Sequence, residues 1–204
     1  MFICFKKQTW KRAKGTAAET LAEIIIAIIV LSVGVTGAMT LVTTAINANA
    51  EAEERIEAYN FAREGVEIVR SMRDTNWLRF PGDRADCWDV EPAITDPADC
   101  PTAPTLGSAG GTDYIVYPNV AVTTRYFSWE VRSGSIDPTI CEETVGSATM
   151  YKNDTGSCSI SSPFSRIVNI VNDGSDTMEI SSTVTWDWKG NTRSVTFADE
   201  LTNY

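Results

Sequence analysis

The sequence predicts an α+β protein: one long N-terminal α-helix, membrane-spanning in its first half, packed on a C-terminal antiparallel β-sheet. Three observations predict it. Ile24 to Ile46 is an uncharged, mostly apolar run, and helical periodicity then continues without a proline to about Trp77. Beyond residue 113, short segments alternate apolar and polar residues between turn-forming clusters. The expected organisation is a leader over 1–18, a membrane-spanning helix over 19–46, an amphipathic helix over 47–77, and disulfide-tied loops with a sheet over 78–204.

The leader carries Lys6, Lys7, Lys11, Arg12 and Lys14 and no acid, so it stays on the cytoplasmic side. The 23 residues that follow from Ile24 make roughly 35 Å of helix, enough to cross the hydrocarbon core. A single-pass protein of the cytoplasmic membrane is expected, with its C-terminal domain outside. Ala48-Asn49-Ala50 has the form of a secretory cleavage site. A secretory apolar core is about 7 to 15 residues long, however, and here a much longer run follows a carboxylate. An uncleaved anchor of unrelated function is a third reading.

That carboxylate is Glu23, at the threshold of the apolar run, where membrane helices rarely carry charge without a partner. A cut after Ala18 gives a new chain starting Glu19-Thr20-Leu21-Ala22-Glu23, whose α-amine, with a reference pKa of about 8, is largely protonated at neutral pH. A neighbouring chain's amine then neutralises Glu23. This segment resembles the leader of type IV pilins and pseudopilins, in which Phe-Thr-Leu-Ile-Glu follows a basic leader and a small residue. Thr20, Leu21 and Glu23 match position for position, and the resemblance continues through Leu31-Ser32-Val33-Gly34. Ala18 in place of Gly and Glu19 in place of an aromatic depart from the pattern. A cut after Gly15 is the rival, but it misplaces Glu23.

The resemblance implies a pilin-like fold and a subunit of a type IV pilus or a related secretion or competence filament. Its partners are then other pilin subunits through the N-terminal helix, a prepilin peptidase, and an assembly platform with its ATPase. The membrane holds the subunit before assembly, an extracellular or periplasmic filament afterwards. N-methylation of residue 19 belongs to the same expectation. The reading from another class is a secreted or membrane-anchored binding or adhesion module that uses the N-terminal segment only for export.

From Asn47 the apolar stripe is Ala48, Ala52, Ile56, Tyr59, Ala62, Val66 and Val69, with Glu51, Glu53, Glu54, Glu57, Glu64 and Glu67 among Arg55, Arg63 and Arg70 on other faces. One nearly continuous helix from Glu19 to about Trp77 follows. Gly34 and Gly37 interrupt it, at about 1 kcal/mol each relative to Ala, and small residues at such positions favour close helix packing.

Phe80 to Asp113 holds Pro81-Gly82, Pro92, Pro97, Pro101, Pro104 and Gly110-Gly111, a long loop. Cys4 leaves with the leader, so Cys87, Cys100, Cys141 and Cys158 remain, an even number suited to an oxidising compartment. Three connectivities are open; Cys87 with Cys100 and Cys141 with Cys158 close short local loops and are preferred. Zinc is disfavoured because the chain has no histidine and no Cys-x-x-Cys. Strands are expected over 114–117, 126–132, 164–171, 179–188 and 192–197. Phe127, Trp129 and Val131 share one face, and Ile180, Val184, Trp186 and Trp188 another. The segment with Cys141 and Cys158 reads as a second loop.

The leader takes five of the 17 Lys and Arg and none of the 27 Asp and Glu, so the net charge passes from -10 to -15 on its removal. Such a balance repels bulk nucleic acid, and no nucleic-acid partner is expected. No histidine, phosphate-cradling loop or nucleophile elbow appears, so neither an enzyme nor a cofactor is expected. Asn172-Asp173-Gly174-Ser175-Asp176 offers oxygens for Ca²⁺ but lacks the EF-hand ligand order, and a hairpin turn is preferred. Asn153-Asp154-Thr155 has the form of a glycosylation acceptor, read as an exposed loop.

Overall fold

A computed structural model describes residues 16–91, 94, 96–119, 128–134, 137–145, 148–153 and 160–203. Helix α1 spans Thr16–Arg79, longer at both ends than expected. The chain divides into two units, Met1–Ala50 and Glu51–Tyr204. In the first, the described part is the apolar half of α1.

The second unit is a helix on an antiparallel sheet. Its strands are β1 (Thr112–Asn119), β2 (Ser128–Ser133), β3 (Thr139–Val145), β4 (Ala148–Asn153), β5 (Ile160–Asn172), β6 (Thr177–Trp188) and β7 (Asn191–Thr202). β5 organises them. One of its edges pairs with β6, which pairs with β7. Its other edge is shared: β1 takes Val168–Ile170, and β3 takes Ile160, Ser161 and Ser165. β2 lies beyond β1 and β4 beyond β3. The expected strands fall within β1, β2, β5, β6 and β7, except that 126 and 127 lie outside the described residues. The register sets Val131 opposite Val116 and Trp129 opposite Pro118.

The segment read as a second loop is corrected. It contains the β3–β4 hairpin, whose polar sequence alternates weakly and whose strand state depends on pairing with the lower half of β5. The sheet face toward the helix is as expected: Met178, Ile180, Ser182, Val184 and Trp186 are buried, and Trp188 is half-buried. The helix stripe is shifted. Ala62, Val66 and Val69 are buried, but Ala48, Ala52, Ile56 and Tyr59 are exposed, and continuous burial begins at Ala58. Periodicity identifies a face of a helix, whereas burial requires something to cover it, and little covers the stripe before Ala58.

Two apolar clusters lie between α1 and the sheet. One gathers Ala58, Phe61 and Ala62 with Ile140, Phe164, Val184 and Trp186; the other gathers Val66, Val69 and Met72 with Val168, Ile170, Met178, Ile180 and Leu201. At their junction the helix touches the sheet closely at Gly65. A Cβ there would stand 2.4 Å from Ser182 Oγ and 3.1 Å from both Ser182 Cβ and Val168 Cγ2. Gly at mid-helix costs about 1 kcal/mol of intrinsic propensity, and this approach is what requires it. Gly65→Ala is expected to destabilise the fold by about 2 kcal/mol through overpacking. Ser182 Oγ is buried with no hydrogen-bond partner, so Ser182→Ala alone is expected to be neutral or mildly stabilising. Denaturation of the four chains of this double-mutant cycle should show the Gly65→Ala cost falling in the Ser182→Ala background; an unchanged cost would place the strain elsewhere.

Past the helix, the proline-rich segment folds into a short helix α2 (Arg84–Cys87) and a 3₁₀ turn, Pro97–Thr102. Cys87 and Cys100 form a disulfide with Cα atoms 5.1 Å apart, buried with Phe80 and Val90. Asn76 Nδ2 donates to Val90 O at 2.9 Å, fixing this lobe to the end of α1. Cys141 is also in a disulfide, while Cys158, the partner expected for it, lies outside the described residues, as does Cys4.

Candidate functional site

The large apolar side chains of the first unit, from Leu21 to Ile46, are exposed, and no part of the run is buried. By length and composition the helix suffices to cross a membrane. Five hydroxyls interrupt the apolar surface, and each donates to a carbonyl of its own helix. Ser32 donates to Ile29 O at 2.8 Å, Thr36 to Ser32 O at 2.5 Å, Thr40 to Gly37 O at 2.8 Å, Thr43 to Met39 O at 3.0 Å and Thr44 to Thr40 O at 2.8 Å. Such internal bonding lets hydroxyls enter a low-dielectric surround without an unsatisfied donor. Gly34 and Gly37 have open space above them.

Glu23 is exposed on this helix, on a patch with Ala22, Ile26, Ala27, Val30 and Leu31. No ion pair involves it among the described residues. Ala18 and Glu19 lie in the first turn of α1; Gly15 and the basic leader lie outside the described residues. The chemistry this arrangement offers is the Glu23 carboxylate at the start of an apolar rod, able to take a cation from outside the chain.

The second unit holds a polar centre that sequence reading missed. Arg166 is fully buried where β1 and β3 diverge on β5. Its guanidinium donates to Asn153 Oδ1 at 3.1 and 3.2 Å, to Glu64 Oε2 at 3.1 Å, and to the carbonyls of Phe61 and Val116 at 3.3 Å. Asn153 Nδ2 donates to the carbonyls of Pro138 and Arg166 at 2.9 Å, and its Oδ1 accepts from Val116 N at 3.4 Å. The two side chains thus satisfy backbone groups that the fork leaves without a strand partner. Burial pulls the Arg166 guanidinium down from its ordinary range, against the Glu64 carboxylate that raises it. An arginine at an inward position of the alternating run Phe164, Arg166, Val168, Ile170 was the available signal. Asn153, read as an exposed glycosylation acceptor, is fully buried and engaged on both sides of its amide; Thr155 lies outside the described residues.

The charged face of α1 also meets β7. Glu51 pairs with Arg193 at 3.0 Å, Arg70 pairs with Glu67 at 2.7 Å and with Asp199, and Tyr59 meets Phe197 edge-on at 5.7 Å. Arg73 Nη1 donates to Thr202 O at 3.3 Å. Glu51 to Arg73 covers about 33 Å of helix and Arg193 to Thr202 about 30 Å of strand, so helix and strand run side by side.

Asn172 ties the β5–β6 turn to the disulfide lobe. Its Nδ2 donates to Asp89 Oδ2 at 2.7 Å and Leu106 O at 3.0 Å, and its Oδ1 accepts from Gly174 N at 3.0 Å. Asp173 Oδ1 accepts from Ser175 N at 2.9 Å. The segment weighed for Ca²⁺ therefore folds as a turn closed by its own side chains. Among the described residues no group of three or more Cys, Asp and Glu is placed to hold a metal ion.

Burial pushes the Asp89 carboxyl up, against the hydrogen bond from Asn172 that lowers it. A carboxyl raised on folding makes the native state bind its proton more tightly, so its contribution is unfavourable at neutral pH and is relieved as pH falls through the folded pKa. Asp89→Asn keeps an oxygen for Asn172 and removes the buried charge. It is expected to stabilise the chain by up to about 1 kcal/mol at pH 7, with the gain shrinking toward pH 4. Urea denaturation at both pH values checks this, and a gain that grows on acidification would reverse the assignment.

Comparisons with protein-family models, with curated proteins and with solved structures returned no match.

Proposed function

We propose that this chain is a structural subunit, minor pilin or pseudopilin in kind, of a type IV pilus or a related secretion or competence filament. The observation that carries the reading is a helix whose first half exposes an uncharged, mostly apolar surface with Glu23 at its start, and whose second half is the spine of a helix-on-sheet domain. The five self-bonded hydroxyls support it, since such a helix passes between lipid and other apolar helices without unpaired donors. After cleavage by a prepilin peptidase between Ala18 and Glu19, the helix leaves the bilayer only to be covered by the same segment of other subunits. Glu23 then faces the Glu19 amine of a neighbour, and the pair sets the register. A separate ATPase supplies the energy of assembly.

The test is the N-terminal mass of the chain recovered from membranes or sheared filaments of a host with an active prepilin peptidase. A start at Glu19 supports the subunit reading, with an added methyl group as its further mark. A start at Glu51 makes the segment an ordinary export signal and leaves a secreted binding or adhesion module.

A further inference from the structure

We infer that the free edge of β7 is a docking site for an extended segment of another protein, one that alternates apolar and basic residues and joins the sheet beside β7. The inference concerns the second unit alone and holds whether or not the chain is a filament subunit.

The sheet ends at β2, β4 and β7. β2 and β4 have six residues each and β7 has twelve, all of them paired with β6 without a bulge. The two-residue turn Lys189-Gly190, with φ of 53° and 79°, closes on Trp188 and Asn191, which exchange both backbone bonds in such a hairpin. Alternation from that pair turns the N–H and C=O of the odd-numbered residues of β7 toward β6, and those of Thr192, Ser194, Thr196, Ala198 and Glu200 away from the sheet. Thr202, next in that series, gives its carbonyl to Arg73 Nη1 at 3.3 Å. The other five are exposed, and among the described residues no hydrogen bond uses their outward backbone groups. Edge strands are commonly blunted by a bulge, a proline or a lysine, and β7 has none of these. Its inward charges do not block it either, because Arg193 and Asp199 are taken up by Glu51 and Arg70 of α1.

The two faces of the edge define the guest. On the face away from α1, Glu179 and Glu200 stand directly opposite each other. Both are exposed, and neither joins an ion pair among the described residues. Like charges so placed repel. They border a groove with Asn169, Val171, Ser181 and Ala198, and the small Ala198 leaves room at the edge for a long side chain. A lysine or arginine of the guest, set opposite Ala198 or Glu200, reaches the two carboxylates and replaces repulsion by attraction. On the other face Val195 and Phe197 are half-buried, and Tyr59, itself 44% exposed, meets Phe197 edge-on at 5.7 Å. Guest residues opposite Val195 and Phe197 stand in cross-strand contact with them, so apolar residues alternate with the basic ones. A second copy of β7 lacks this pattern. Its one cation, Arg193, belongs to the face toward α1 and cannot neutralise Glu179 and Glu200.

The experiment uses the full chain in dodecyl maltoside, an uncharged detergent, with capped peptides of about ten residues that alternate valine with lysine or valine with glutamate. Anisotropy of the labelled peptide reads binding, and amide exchange is read residue by residue over β7. Expected is saturable binding of the lysine peptide, with exchange slowed at Thr192, Ser194, Thr196, Ala198 and Glu200, and no binding of the glutamate peptide. Glu200→Lys, a change at an exposed side chain, is expected to weaken the lysine peptide about fivefold. No binding of the lysine peptide, or binding without slowed exchange at these alternate residues, overturns the edge site. Equal binding of the two peptides, or unaltered affinity in Glu200→Lys, overturns the basic guest. Slowed exchange at the same amides on concentrating the chain alone, with growth of a dimer, gives the edge to a second copy and overturns the partner.

Discussion

Arg166→Ala is expected to destabilise the second unit by about 3–5 kcal/mol, the range for removing one member of a buried charged network. The effect is large because the guanidinium spans α1, β1, β4 and β5 at one point. Its removal empties the space at the fork and leaves Val116 O and Asn153 Oδ1 with fewer donors in a place water does not reach. Glu64 adds little, because its side chain is 40% exposed and water takes over its solvation. Arg166→Met separates the contributions: it restores much of the volume without the donors, and a residual loss of about 2 kcal/mol is expected from the unsatisfied groups. Asn153→Leu alone should also be costly. Combining it with Arg166→Met should cost less than the two losses added, because fewer buried polar groups then face apolar ones. Denaturation of the full chain in detergent, followed by near-ultraviolet circular dichroism, reads all four. Strict additivity would mean that the two side chains act independently.

The same fork shows where sequence reading runs out. Strands β5, β6 and β7 were legible because a face buried against a helix demands period-two apolar residues, and Ile180, Val184 and Trp186 supply it. The long helix was legible from an uncharged run followed by three- and four-residue spacing, and the Cys87–Cys100 bridge from its local loop. The β3–β4 hairpin was not, since its order comes from Thr139, Cys141 and Glu142 meeting a partner strand distant in sequence. Gly65 looks like any helical glycine until Ser182 is brought against it. Asn153 matched a modification pattern because a three-residue pattern contains nothing about burial. Nor did the stripe through Ala52 and Ile56 reveal that these residues are left exposed. In the first unit, sequence and structure carry the same information: an apolar surface with the Glu23 carboxylate at its start, whose meaning depends on what surrounds it.

Glu23→Ala is expected to abolish incorporation into filaments while leaving membrane insertion intact, the largest functional effect predicted for this chain. In the proposed subunit, insertion depends on the apolar run from Ile24 to Ile46 and on the basic leader, neither of which the substitution alters. Assembly as proposed is different, because it would move the α-amine of Glu19 from the headgroup layer into a bundle of apolar helices, where an ammonium without a counter-charge costs several kcal/mol. With Glu23 present on the neighbour, two solitary charges become one pair. Without it the penalty recurs at every subunit added, so even a few kcal/mol per contact suppresses incorporation by orders of magnitude. Glu23→Gln is expected to be intermediate, since an amide oxygen accepts a hydrogen bond from the amine but supplies no charge. Carbonate extraction measures insertion, and the ratio of mutant to wild-type chains in sheared filaments from a co-expressing host measures assembly. Equal incorporation of Glu23→Ala and wild type would remove the charge pair from the mechanism, even if the chain is a filament subunit. Loss of both insertion and assembly would instead make Glu23 part of the export signal.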